Sequence, residues 1–133
     1  MVEKIRAGDI LLDFDGTVVT HKYKGVGIDI GAEGTLKDLV KRGHRLILFT
    51  MRSNRDSGLQ DAIDWFKNRG IELYGIQENP TQKEWTDSPK AYGTLIIDDT
   101  ALGIPLIIDS RRSKRPFVDW VRTREMLISN GYL

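Results

Sequence analysis

Four short apolar runs set what this chain can become: Ile10-Leu11-Leu12, Leu46-Ile47-Leu48-Phe49, Ile71 to Ile76, and Thr94-Leu95-Ile96-Ile97. The first two are continuously apolar, as strands buried on both faces are, and the other two read as a third and a fourth strand. Between the first two, Glu33 to Arg42 places Leu36, Leu39 and Val40 at helical spacing, and Gly43 supplies the stop. After the second, Ser57 with Gln60 makes a capping-box pattern. It opens a helix whose core face is Leu59, Ala62, Ile63 and Phe66 and which ends at Gly70. Leu106-Ile107-Ile108 reads as a short edge strand. A last helix, from about Phe117 to Asn130, carries Phe117, Trp120, Val121, Leu127 and Ile128 on one face. The stretch from Gln77 to Tyr92 holds Pro80 and Pro89 and reads as an ordered loop with one helical turn. Alternating strands and helices predict an α/β fold around a mostly parallel sheet with right-handed crossovers.

The 133 residues are expected to make one domain, 1–133, with room for a three-layer core and little for a second module. Twenty Lys and Arg stand against 19 Asp and Glu, so no one-sign field names a nucleic acid or an anionic membrane as partner. The one basic cluster, Arg111-Arg112-Ser113-Lys114-Arg115, reads as a solvated loop, with a phosphate-rich partner as the alternative. Cysteine is absent, which removes disulfides, thiolate nucleophiles and Cys-based zinc sites. No apolar stretch approaches the ~18 residues of a membrane span. The charged N-terminus lacks the apolar region of a signal peptide. A cytoplasmic protein is expected.

Asp13-Phe14-Asp15-Gly16-Thr17 follows the first strand directly. Asp13 and Asp15 then lie past the sheet edge where open α/β sheets bind ligands, with Phe14 turned into the core. Asp98 and Asp99 follow the fourth strand at the same edge, and Thr50 follows the second. Four carboxylates crowding one cleft repel each other, and a hard divalent cation on oxygen ligands is the usual remedy. Gly25-Val26-Gly27 with Gly31 breaks the spacing of a dinucleotide-binding loop.

Asp13-x-Asp15-Gly16-Thr17, then Thr50, then Lys90, then Asp98-Asp99 resembles, in order, the four motifs of the haloacid dehalogenase superfamily of Mg²⁺-dependent phosphohydrolases. Several stretches are also similar to a family of small single-domain bacterial and phage members. These are His21, the run from Gly43 to Arg52, Asn79-Pro80-Thr81-Gln82, and the run from Ser88 to Gly93.

That resemblance implies a Rossmann-like core with helices on both faces. It implies Asp13 as nucleophile, Asp15 as general acid and base, Thr50 on the phosphoryl group, and Lys90, with Lys83 as the alternative, as the charge-offsetting lysine. It implies Mg²⁺ on Asp13, Asp15 and the Asp98-Asp99 pair, with Asp99 favoured as the direct ligand. Gly16, Thr17, His21, Met51 and Arg52 would contact substrate. Neither the segment from Asp13 to Thr50 nor that from Thr50 to Asp98 holds a domain, so a cap is not expected. An uncapped cleft suits a phosphorylated small molecule or a phosphorylated polymer end, and a second copy of the chain is the simplest cover for it. A phosphotransferase, or a fold that binds Mg²⁺ and phosphate without turnover, carries the same motifs.

Overall fold

The computed structural model describes residues 2–133. Its strands are β1 (Asp9–Leu12), β2 (Arg45–Leu48), β3 (Leu73–Ile76), β4 (Leu95–Ile97), β5 (Leu106–Ile107) and β6 (Phe117–Val118). Its α-helices are α1 (Glu33–Lys41), α2 (Gly58–Asn68) and α3 (Trp120–Ser129). The first four strands form one parallel sheet in the order β3-β2-β1-β4. This is the expected Rossmann-like α/β class, a parallel sheet flanked by three helices, but the helices expected on both faces all pack on one.

Strand pairing explains how the core is divided. Ile10 faces Leu46 and Leu95, and Leu12 faces Leu48 and Ile97. With period-two alternation these residues share one face, and they join a single apolar cluster with Leu36 and Leu39 of α1, Ala62, Trp65 and Phe66 of α2, and Trp120 and Leu127 of α3. Phe14 closes that cluster, its ring 6.1 Å from Trp65 and 6.0 Å from Phe66. Leu11 and Ile47 are buried on the opposite face. The Gln77–Tyr92 loop forms the layer there, with a single 3-10 turn at Gln82–Glu84 in place of a longer helix. A side chain at Gly93 would run into Leu11, so the chain passes close over the sheet.

Three local expectations change. Ser57 lies in the left-handed region (φ 60°) after a 3-10 turn at Arg55–Ser57, and its side chain caps nothing. Gln60 donates to Asp64 instead of completing a capping box. Leu106–Ile107 does form a strand, but pairs antiparallel with Phe117–Val118 in a separate ribbon, not on the main sheet edge. The last helix therefore starts at Trp120, where the Asp119 carboxylate accepts from the Arg122 amide. Trp120, Thr123 and Leu127 make its buried face, while Val121 and Ile128 are exposed.

His44 enters β2 as expected, and is buried. Its Nδ1 accepts from the Gly8 amide at 3.1 Å while Nε2 lies 2.9 Å from the Tyr132 carbonyl. Neutral imidazole with the proton on Nε2 satisfies both contacts. No helix among the described residues is long and apolar enough to cross a membrane.

Candidate active site

At the carboxyl end of β1 the chain turns sharply. The Phe14 carbonyl accepts from the amides of Thr17 and Val18 at 3.1 and 2.8 Å, and the Asp13 amide donates across to Ile97 O at 3.0 Å. Gly16 takes φ +78°, and a Cβ there would collide with His21 Nε2 and Asp99 Oδ2. Only glycine lets β1 and the loop after β4 approach this closely.

Thr17 joins the two acidic segments. Its hydroxyl donates to Asp13 Oδ2 at 2.7 Å and accepts from the Asp99 amide at 2.9 Å. The side chain is fully buried, and its carbonyl accepts from Trp120 Nε1 at 2.7 Å, which ties α3 to the loop. Around this hydroxyl, carboxylate oxygens of Asp13, Asp98 and Asp99 all lie within 4.8 Å of one another. Burial pushes the Asp13 carboxyl up from 3.8 to about 7, with the charge of Asp98 and the contact with Asp99 adding to it and the Thr17 bond opposing it. Three hard oxygen donors, one of them held above its usual range by burial and neighbouring charge, fit a divalent cation such as Mg²⁺.

Asp98 and Asp99 differ in their surroundings. Asp98 Oδ1 accepts from the amide and hydroxyl of Thr100, both at 2.8 Å. Asp99 Oδ2 lies 2.8 Å from His21 Nε2. His21 thus sits on the acidic trio.

Asp15 does not join the trio with its side chain. Arg52 holds both of its oxygens at 2.8 Å, and also donates to the carbonyls of Gly58, Lys22 and Gly25. Arg52 is 7 % exposed and lies over the Phe14 ring, 5.1 Å from its centre. The arginine expected to meet substrate is instead a buried clamp between the Asp15 turn, the Lys22–Gly25 segment and the start of α2. Its neighbour Met51 is 97 % exposed.

Thr50 follows β2 at the same edge. Gln77 grips its backbone from both sides, accepting from Thr50 N at 2.9 Å and donating to Thr50 O at 2.6 Å. The Thr50 hydroxyl accepts from the Arg52 amide at 3.1 Å, which leaves its own hydrogen for an incoming oxygen.

The lysine assignment is corrected. Lys90 and Lys83 are exposed, on a loop fastened to the opposite end of the sheet. Asn79 Nδ2 donates both to Asp9 Oδ2 and to Tyr92 O, and the Thr94 amide donates to Asp9 O. Asp9 is the first residue of β1, so the loop is anchored a full strand length from Asp13. Gln82 holds the Lys90 carbonyl at 2.6 Å, and among the described residues neither lysine pairs with a carboxylate. Trp85 packs edge-on against Tyr92 in that loop, rings 5.2 Å apart.

One contribution was not legible beforehand. The Val118 amide of β6 donates to Gly16 O at 2.9 Å, and this docks the β5–β6 ribbon on the Asp13–Thr17 turn. The basic loop between those strands therefore lies beside His21. A two-residue strand is too short to show in hydrophobic periodicity.

No family model matches the chain, and no curated protein does. Among solved structures, a conserved protein from Bacteroides thetaiotaomicron is 34% identical. The match covers 92% of this chain and 91% of that one, with a TM-score of 0.73. The chain belongs to the family of that protein. The likeness spans nearly the whole of both chains.

Proposed function

We propose that the protein is a Mg²⁺-dependent phosphomonoesterase that works through an aspartyl-phosphate on Asp13. The observation that carries this reading is the convergence of Asp13, Asp98 and Asp99 around the Thr17 hydroxyl at the sheet edge. Those three carboxylates, with the backbone of Asp15, would hold the cation. Bound there, it would offset the negative charge of the phosphoryl group. Asp13 attacks phosphorus and the ester P–O bond breaks. Asp15 protonates the departing oxygen, then takes a proton from the water that cleaves the intermediate. That role requires one Asp15 oxygen to leave Arg52. The Thr50 hydroxyl donates to a phosphoryl oxygen, and His21 orients Asp99.

A second reading, binding of Mg²⁺ and phosphate without useful turnover, draws on two observations. Arg52 occupies both oxygens of Asp15, and among the described residues no lysine pairs with the trio. A screen of phosphomonoesters with and without Mg²⁺ separates the two readings, beginning with p-nitrophenyl phosphate. Mg²⁺-dependent phosphate release that vanishes in Asp13→Asn protein is expected. Metal and BeF₃⁻ binding without any release would establish the second reading. Release of phosphate only when an acceptor alcohol is present would mark a phosphotransferase.

A further inference from the structure

The loop between β5 and β6 runs Ile108-Asp109-Ser110-Arg111-Arg112-Ser113-Lys114-Arg115-Pro116. Two concavities open beside it. One, of about 350 Å³, is lined by His21 and Ser110 to Arg115. The other, of about 360 Å³, is lined by Asp15, His21, Lys22, Tyr23 and Arg115. His21 and Arg115 belong to both, so a single trough leads from the basic loop to Asp15 and to the histidine that touches Asp99.

The cations of this region are not equivalent. Arg111 and Arg112 are both taken up by Asp109, at 3.2 and 3.0 Å, and Arg112 also lies over the Phe117 ring. Lys24 faces Asp56 at 3.6 Å. Among the described residues Lys22, Lys114 and Arg115 have no carboxylate partner. Three unpaired cations around one concave wall draw anions into it. Tyr23 adds a ring that is 63 % exposed, held by a bond from its hydroxyl to Asp56.

We infer that this trough is a second anion subsite, and that the substrate carries at least one further phosphate near the phosphomonoester that reacts. The inference rests on the phosphomonoesterase reading for the reacting group. A lone phosphate at the acidic trio would leave Lys22, Lys114 and Arg115 without counter-charge. A second phosphate gives Arg115 a bidentate partner and gives the two ammonium groups point contacts. The exposed face of Tyr23 is a platform on which a base can stack. Nucleoside bisphosphates and phosphorylated ends of single-stranded nucleic acid both offer that combination.

Binding tests the subsite separately from turnover. Asp13→Asn protein, which cannot form the aspartyl-phosphate, is titrated in Mg²⁺ with AMP, with adenosine 3′,5′-bisphosphate and with a 5′-phosphorylated oligonucleotide. The bisphosphate is expected to bind at least about tenfold more tightly than AMP, the effect of one added charge-assisted phosphate contact. Adding K114A and R115A should collapse that ratio, and adding the remote K41A should preserve it. Tightest binding of the oligonucleotide assigns the trough to strand ends, and tightest binding of the bisphosphate assigns it to free nucleotides. Equal affinity for AMP and the bisphosphate, or a ratio indifferent to K114A/R115A, overturns the subsite. Wild-type turnover of p-nitrophenyl phosphate is followed in parallel. A bisphosphate preference without turnover keeps the subsite and removes the phosphatase reading, whereas turnover without preference removes the subsite alone.

Discussion

Arg52 grips both oxygens of Asp15 at 2.8 Å from the far end of β2, and three backbone carbonyls share the same guanidinium. Removing one partner of a buried pair costs far more than the pair itself contributes, because the other charge is left uncompensated. Arg52→Ala is therefore expected to lower stability by about 3–5 kcal/mol. Arg52→Lys should recover only part, since an ammonium cannot reproduce the planar fork. Urea unfolding of both variants measures this, and an Arg52→Ala protein as stable as the parent would show that the clamp is dispensable.

The cation proposed on the acidic trio carries a stability test. At Mg²⁺ 100 times its dissociation constant the fold should gain ~2.7 kcal/mol. Thermal melts in EDTA and in millimolar Mg²⁺ give the comparison. Coincident midpoints would argue against a cation on these carboxylates, and Asp99→Asn should remove most of any difference.

Acidity enters through Asp13. Its folded-state value of about 7 lies above the ordinary 3.8, so the folded chain binds the extra proton. Stability from this group is full below 3.8 and is lost as pH rises toward 7. Metal-free protein should thus melt higher at pH 5 than at pH 8, and Asp13→Asn should flatten that slope. Protons should also compete with Mg²⁺ below about pH 7. Melting curves in EDTA across this range decide it. A midpoint that climbs with pH would contradict the assignment.

Anchoring of the Gln77–Tyr92 loop at Asp9 carries its own consequence for turnover. Lys90→Ala and Lys83→Ala should keep the proposed phosphatase activity close to that of the parent. A loss of about 10²-fold or more, the usual scale for removing a charge-stabilising donor, would place a lysine at the phosphate after all.

Gly16→Ala tests the close approach directly. At φ +78° an added methyl is strained and also meets His21 and Asp99. Loss of Mg²⁺ stabilisation together with a lower midpoint is expected. An unchanged Mg²⁺ response in a fully folded Gly16→Ala protein would show that the turn and the Asp99 loop move apart without cost.

Local composition was enough to place the four strands of the parallel sheet, the helices begun at Glu33 and ended at Gly70, and the edge where Asp13, Thr50, Asp98 and Asp99 emerge. Apolar runs and glycine stops act over a few residues, and a parallel sheet delivers all its strand ends to the same side. Interactions distant in sequence decided the rest. Arg52 lies on the motif stretch after β2, yet whether it faces substrate or Asp15 depends on carbonyls from Lys22, Gly25 and Gly58. Lys90 stands upstream of Asp98 where a charge-offsetting lysine is expected, but Asn79 and Asp9 fasten its loop to the opposite edge. The two-residue ribbon that carries Lys114 and Arg115 to His21 exists because Val118 finds the Gly16 carbonyl. Side-chain direction and loop anchorage are settled by such partners, and nothing within a few residues of Arg52, Lys90 or Arg115 specifies them.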